Sequence, residues 1–298
     1  MKSNSRSAYY QGVPHPPQIP RPYVKLLPAV PPFALLLLLL PASAFASVPS
    51  PVLPDAPVPQ QSSATPEHVP LQDQPHPKPT LLNLPQAFLS DGIHILTAPR
   101  YLRTGDLKWL VPLAGASAAA FATDTTASRD VVSHDTGFNN TAVNASNVLV
   151  GGFIAAPAAL FVLGHATNNE HARESGLLGG EAMVDAAVLG EGIKLVSWRE
   201  RPNVDNARGN FFTSGVGTNS SFVSEHSIIT WSSAAVLAGE YPTWWKQVGI
   251  YTLASGLSLT RVLGEQHFPS DVLVGGAAGW LIGHYVLRVH HHWHPARD

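Results

Sequence analysis

The stretch SDVLVGGAAGWLIGHYVLRV, residues 270–289, decides the fold. Its twenty residues are almost all Gly, Ala or bulky apolar side chains, with Asp271 and Arg288 as its only Asp, Glu, Lys or Arg. Pro269 and Ser270 are helix-start signals. The apolar run behind them lacks the apolar–polar alternation of a half-buried strand. Gly275, Gly276, Ala277 and Ala278 suit a helix packed backbone to backbone on a neighbour. The same texture recurs outward along the chain, near Pro85–Thr97, Leu107–Ala122, Asn147–Leu163, Leu177–Trp198, His226–Gly239 and Thr243–Val262. Asn, Asp, Gly and Pro punctuate the intervals. The expected class is all-α, a compact bundle of about six core helices with a preceding short helix. Only the uncharged stretch near Asn147–Gly164 approaches the ~20 apolar residues of a membrane span. A globular bundle is therefore expected, with a multi-pass form as the alternative.

The N-terminal third has a different character. Lys2, Arg6, Arg21 and Lys25 precede the apolar run Phe33–Leu40, which ends in Ala42, Ala44 and Ala46. A basic stretch, a short apolar core and an A-x-A-like end read as a secretory signal peptide over 1–46. Nineteen of the 27 prolines precede residue 80, so 47–80 reads as a Pro-rich disordered linker. One helical domain, 81–298, remains. Export places the domain in the periplasm or cell envelope, where Trp244 and Trp245 beside Lys246 suit either a membrane interface or core packing.

Composition excludes several functions. With no cysteine, disulfides, thiolate metal sites and cysteine nucleophiles are all ruled out. A net charge of −2 with no basic stripe gives no footprint for nucleic acid. Asp124, Asp130 and Asp135 read as turn and capping residues, and His290, His291, His292 and His294 as a solvated tail.

Three short clusters remain, and they carry chemistry together. In Lys194-Leu-Val-Ser-Trp-Arg-Glu-Arg201-Pro202, a helix running to Pro202 would put Lys194 and Arg201 on one face. Ser220-Ser-Phe-Val-Ser224-Glu225-His226 precedes an apolar helical run, where serines cap the helix and free first-turn N–H groups form an anion site. In Arg261-Val-Leu-Gly-Glu-Gln-His267-Phe-Pro-Ser-Asp271, Asp271 stands four residues after His267, close enough to accept a ring N–H bond and leave the other nitrogen as a nucleophile. Three cations can hold the three equatorial oxygens of a phosphoryl group while one histidine attacks and another protonates the leaving oxygen.

These clusters resemble the signature of the type 2 phosphatidic acid phosphatase superfamily, which includes bacterial acid phosphatases and vanadium haloperoxidases: K-x6-R-P, then P-S-G-H, then S-R-x5-H-x3-D. The resemblance covers roughly residues 107–290. It implies a six-helix core and a metal-independent phosphatase without cofactor, acting on phosphorylated small molecules or lipids. By that likeness His267 is the nucleophile forming a phosphohistidine, Asp271 its orienting partner and His226 the general acid. Lys194, Arg201, Arg261 and the Ser224–Glu225 region bind phosphate. A vanadate-dependent haloperoxidase and a non-catalytic phosphate or lipid binder are the rival readings. Val223, Glu225 and Thr260 depart from the family's proline, glycine and serine. Glu225 is expected to face solvent, because an inward carboxylate would oppose three cations.

Overall fold

The computed structural model describes residues 107–290, together with Gly92, His94, Thr97 and Thr104. The expected signal peptide, the linker and most of the short helix Pro85–Thr97 lie outside the described residues. So do His291, His292 and His294.

Six α-helices follow one another: α1 Leu107–Thr126, α2 Thr136–Ala166, α3 Glu170–Ser197, α4 Glu225–Glu240, α5 Trp244–Leu263 and α6 Pro269–His290. A π-helical turn, Ala127–Val131, links α1 to α2, and the long loop between α3 and α4 holds two short 3-10 turns. No strand occurs among the described residues, so the all-α expectation is met. The start of α2 differs from expectation. Asp135 caps it, accepting from Phe138 N at 2.7 Å, and the stretch that read as a polar loop before Asn147 is its first three turns. Polar Asn and Thr side chains there masked a helix whose register is fixed by its cap.

Helix α4 is the axis of the bundle. It is buried almost all round, with an aliphatic cluster of Ile228 and Val236 against Leu178, Ala182, Ala186, Ile282 and Val286 of α3 and α6. Trp231, Ala234 and Leu237 pack on Phe153 of α2 and Ala254 of α5. Two of its buried polar side chains find partners on neighbouring helices, whereas Thr230 Oγ1 has none. Trp231 Nε1 donates to Ser258 Oγ at 3.0 Å, and Ser233 Oγ donates to the carbonyl of Phe153 at 3.0 Å. That carbonyl lacks its usual helical donor because the residue four positions on is Pro157, which has no N–H.

The glycines of the opening stretch bring α6 onto α4. A Cβ at Gly275, Gly279 or Gly283 would stand 2.9, 2.1 and 2.3 Å from the carbonyl oxygens of Ser224, Ile228 and Ser232. Both sets recur every four residues, so backbone meets backbone along two parallel rows. This contact fixes the start of α4 beside the start of α6.

By length and composition α2 and α6 are both apolar enough to cross a membrane, but half of the α6 segment is buried in the bundle against 17% of that of α2. His290, at the end of α6, is no free tail residue. It is buried, with Nδ1 2.9 Å from Glu181 Oε1.

Candidate active site

The three sequence clusters meet at one end of the bundle, where α3 and α5 finish and α4 and α6 begin. Lys194 and Arg261 occupy the last turns of α3 and α5, where cations suit the negative helix ends. Helix α3 stops at Ser197, with Trp198 in the left-handed conformation at φ 39°. Arg201 therefore lies on the exiting chain, not on the helical face of Lys194 as expected. The guanidinium of Arg201 donates to the backbone oxygen and Oδ1 of Asn219 and to the backbone oxygen and Oε1 of Gln266.

His267 sits in the loop before α6, as expected, and is 2% exposed. Its tautomer is set differently from expectation. Asp271 Oδ2 is 3.8 Å from His267 Nδ1, too far for a hydrogen bond. The carbonyl of Ser221 lies 2.7 Å from Nδ1 instead. A carbonyl only accepts, so Nδ1 carries the proton and Nε2 keeps its lone pair. Burial, and then the charges of Arg201 and Arg261, hold the ring well below the ordinary histidine pKa, in its neutral form.

Asp271 is engaged elsewhere. Oδ2 accepts from Phe268 N at 2.8 Å, closing the first turn of α6, and Oδ1 accepts from Arg199 Nη1 at 2.6 Å. Burial raises its pKa to about 6 against the opposing charge of Arg199. Arg199, absent from the sequence-derived set, is the hub of this region. It also donates to Ser270 Oγ and to Asp124 Oδ2, at 2.8 and 2.7 Å, and its guanidinium stacks 4.2 Å over the Phe268 ring. Gly209 permits the packing: its φ is +63°, and a Cβ would stand 2.6 Å from the Phe268 ring. Asp124, expected in a loop, is a buried helical residue that also accepts from Ser270 N. The signal for Arg199 was a third basic residue between Lys194 and Arg201. Asp124 had none, because its partner lies 75 residues away.

Ser224 is the N-cap of α4, but its hydroxyl makes no capping bond. The Ser224 hydroxyl and Arg261 Nε are buried polar atoms without a hydrogen-bond partner. Arg261 Nη1 donates to Ser146 Oγ at 3.1 Å. Burial, then the charge of Arg201, lowers the Arg261 pKa to about 10. Thr260 turns its hydroxyl back to the Leu257 carbonyl. His226, in the first turn of α4, donates from Nε2 to Asn147 Oδ1 at 3.1 Å. Burial and the nearby Arg261 bring its pKa down to about 4. Glu225 departs in part from expectation: its carboxylate reaches solvent, but Oε2 lies 2.7 Å from Lys194 Nζ. Burial works to raise its carboxyl, but the bond to Lys194 and the charge of that lysine bring it below the usual carboxylate range.

The described bundle thus brings His226, His267, Lys194, Arg201 and Arg261 to one end, where α3 and α5 finish and α4 and α6 begin. The PAP2 superfamily model matches residues 176–295. Over that stretch the chain is similar to the type 2 phosphatidic acid phosphatase superfamily. Comparison with curated proteins and with solved structures gives no match.

Proposed function

We propose that the protein is a metal-independent phosphatase that hydrolyses phosphate monoesters or pyrophosphates, including lipid-linked ones, through a phosphohistidine. The observation that carries this reading is the pairing of a buried, neutral His267, protonated on Nδ1, with two buried donors left without partners, Ser224 Oγ and Arg261 Nε. Unpaired buried donors are costly, and the start of α4 is a natural anion site. A phosphoryl oxygen accepting from both would remove that cost.

In this scheme His267 Nε2 forms the bond to phosphorus as the ester P–O bond breaks, and His226 gives a proton to the departing oxygen. Water then attacks the phosphohistidine, losing its proton to His226, and phosphate leaves. Lys194, Arg201 and Arg261 supply the positive charge at the equatorial oxygens, so no metal step is invoked. The negative charge of the bound phosphoryl group itself raises the proton affinity of His226. Asp271 acts on the start of α6 and on Arg199, and reaches His267 through the backbone they hold. Export, with residues 1–46 as signal peptide and 47–80 as spacer before the domain 81–298, belongs to the same proposal and puts the site on the periplasmic face.

Purified protein is expected to release phosphate from p-nitrophenyl phosphate equally with and without EDTA. His267→Ala should lower kcat by at least ~10³-fold at unchanged circular dichroism. Loss of activity in EDTA, or wild-type-like turnover by the variant, would overturn the scheme.

A further inference from the structure

Lys194 is not free to meet an anion alone. Its ammonium, on a side chain only 5% exposed, bonds Glu191 Oε1 at 2.8 Å and Glu225 Oε2 at 2.7 Å. Both carboxylates reach solvent, at 41% and 38% exposure. Among the described residues, Arg201 and Arg261 bond only neutral acceptors: Asn219, Gln266 and Ser146. The charge of Glu225 bears on both guanidiniums as well. Asp271 bears on Arg201 too, so carboxylates largely offset the cations around the unpaired donors Ser224 Oγ and Arg261 Nε. A second negative charge on a bound anion therefore meets little uncompensated positive charge there. A phosphate monoester carries nearly two negative charges above its second ionisation near pH ~6, and the second faces Glu225 at the same helix start. A phosphodiester carries one at any pH above its single ionisation.

We infer that Glu225 is a specificity-determining residue that fits this pocket to a singly charged phosphoryl group and disfavours the dianion. The inference rests on the anion-binding reading above and narrows it. Glu225 acts by its charge and by its hold on Lys194; it touches no reacting atom.

Isothermal titration at pH 8 tests it, with methyl phosphate as the dianion and dimethyl phosphate as the monoanion, on the full chain and on Glu225→Gln. The glutamine keeps an acceptor for Lys194 and removes the charge. Dimethyl phosphate is expected to bind the wild type at least as tightly as methyl phosphate. The variant should gain tenfold or more for methyl phosphate and change less than threefold for dimethyl phosphate. Equal gains for the two ligands, or no gain, would sink the inference and leave the phosphatase reading standing. Binding of neither ligand by either protein would sink both. Glu191→Gln removes the other carboxylate from the same lysine and carries the same test should Glu225→Gln fail to fold.

Discussion

Arg199 lies between two carboxylates, Asp124 and Asp271, in surroundings that exclude water. Removing one partner of a buried ion pair strands the other charge, at a typical cost of 3–5 kcal/mol. Asp124→Ala is accordingly expected to lower unfolding stability by about 3 kcal/mol, read by urea denaturation. A loss under ~1 kcal/mol would show that the network contributes little. His226 answers to pH instead. Its folded pKa near 4 lies below the unfolded value of about 6.5. As pH falls through that window the unfolded chain takes up a proton that the folded one refuses, so this residue erodes stability towards acid. His226→Gln should therefore gain on the wild type as pH drops from 7 to 4.5, in paired denaturation curves. A constant difference would mean that the ring is not shielded as described.

Among the elements, the α4–α6 contact determines how the site is assembled, since His226 starts one helix and His267 precedes the other. Gly279→Ala places a methyl 2.1 Å from the Ile228 carbonyl. Forcing the helices apart should cost about 1–3 kcal/mol and reduce turnover as well. Gly180→Ala is the control. Nothing lies within 4 Å of a Cβ there, so a gain of roughly 0.5–1 kcal/mol is expected in mid-helix. Equal effects of the two changes on melting temperature would contradict the close approach. The glycines, the start of α6 and the loop position of His267 were legible in the sequence because they depend on local chemistry. The early start of α2 was not, because asparagine-rich turns resemble a loop until Asp135 is seen to cap them. The early end of α3 was hidden too, since nothing in Trp198 announces a left-handed residue. Arg199 with Asp124, and the turn of Glu225 onto Lys194, depend on partners brought together only by the fold.

Across the whole bundle, large apolar side chains stand exposed among the described residues. Val148 and Val162 on α2 are 76% and 62% exposed, and Trp244 and Trp245 at the start of α5 are 74% and 57% exposed. Aromatic side chains beside a lysine favour the membrane interface. The protein is expected to float with phospholipid vesicles in a density gradient, and Trp244→Ser with Trp245→Ser to weaken that recovery several-fold. Recovery of the wild type wholly in the dense aqueous fraction would contradict a membrane-facing surface. The Ser221 carbonyl has a consequence of another kind. It is anchored by Ser221 N donating to the Arg199 carbonyl and Ser221 Oγ to that of Glu200, at 2.9 and 2.8 Å, yet the group that holds the His267 proton is main chain. Every substitution at 221 keeps it. A saturation-mutagenesis screen would score this position by its side chain alone and pass over the atom that matters, whereas insertions or deletions between 202 and 220 that displace the segment would be poorly tolerated.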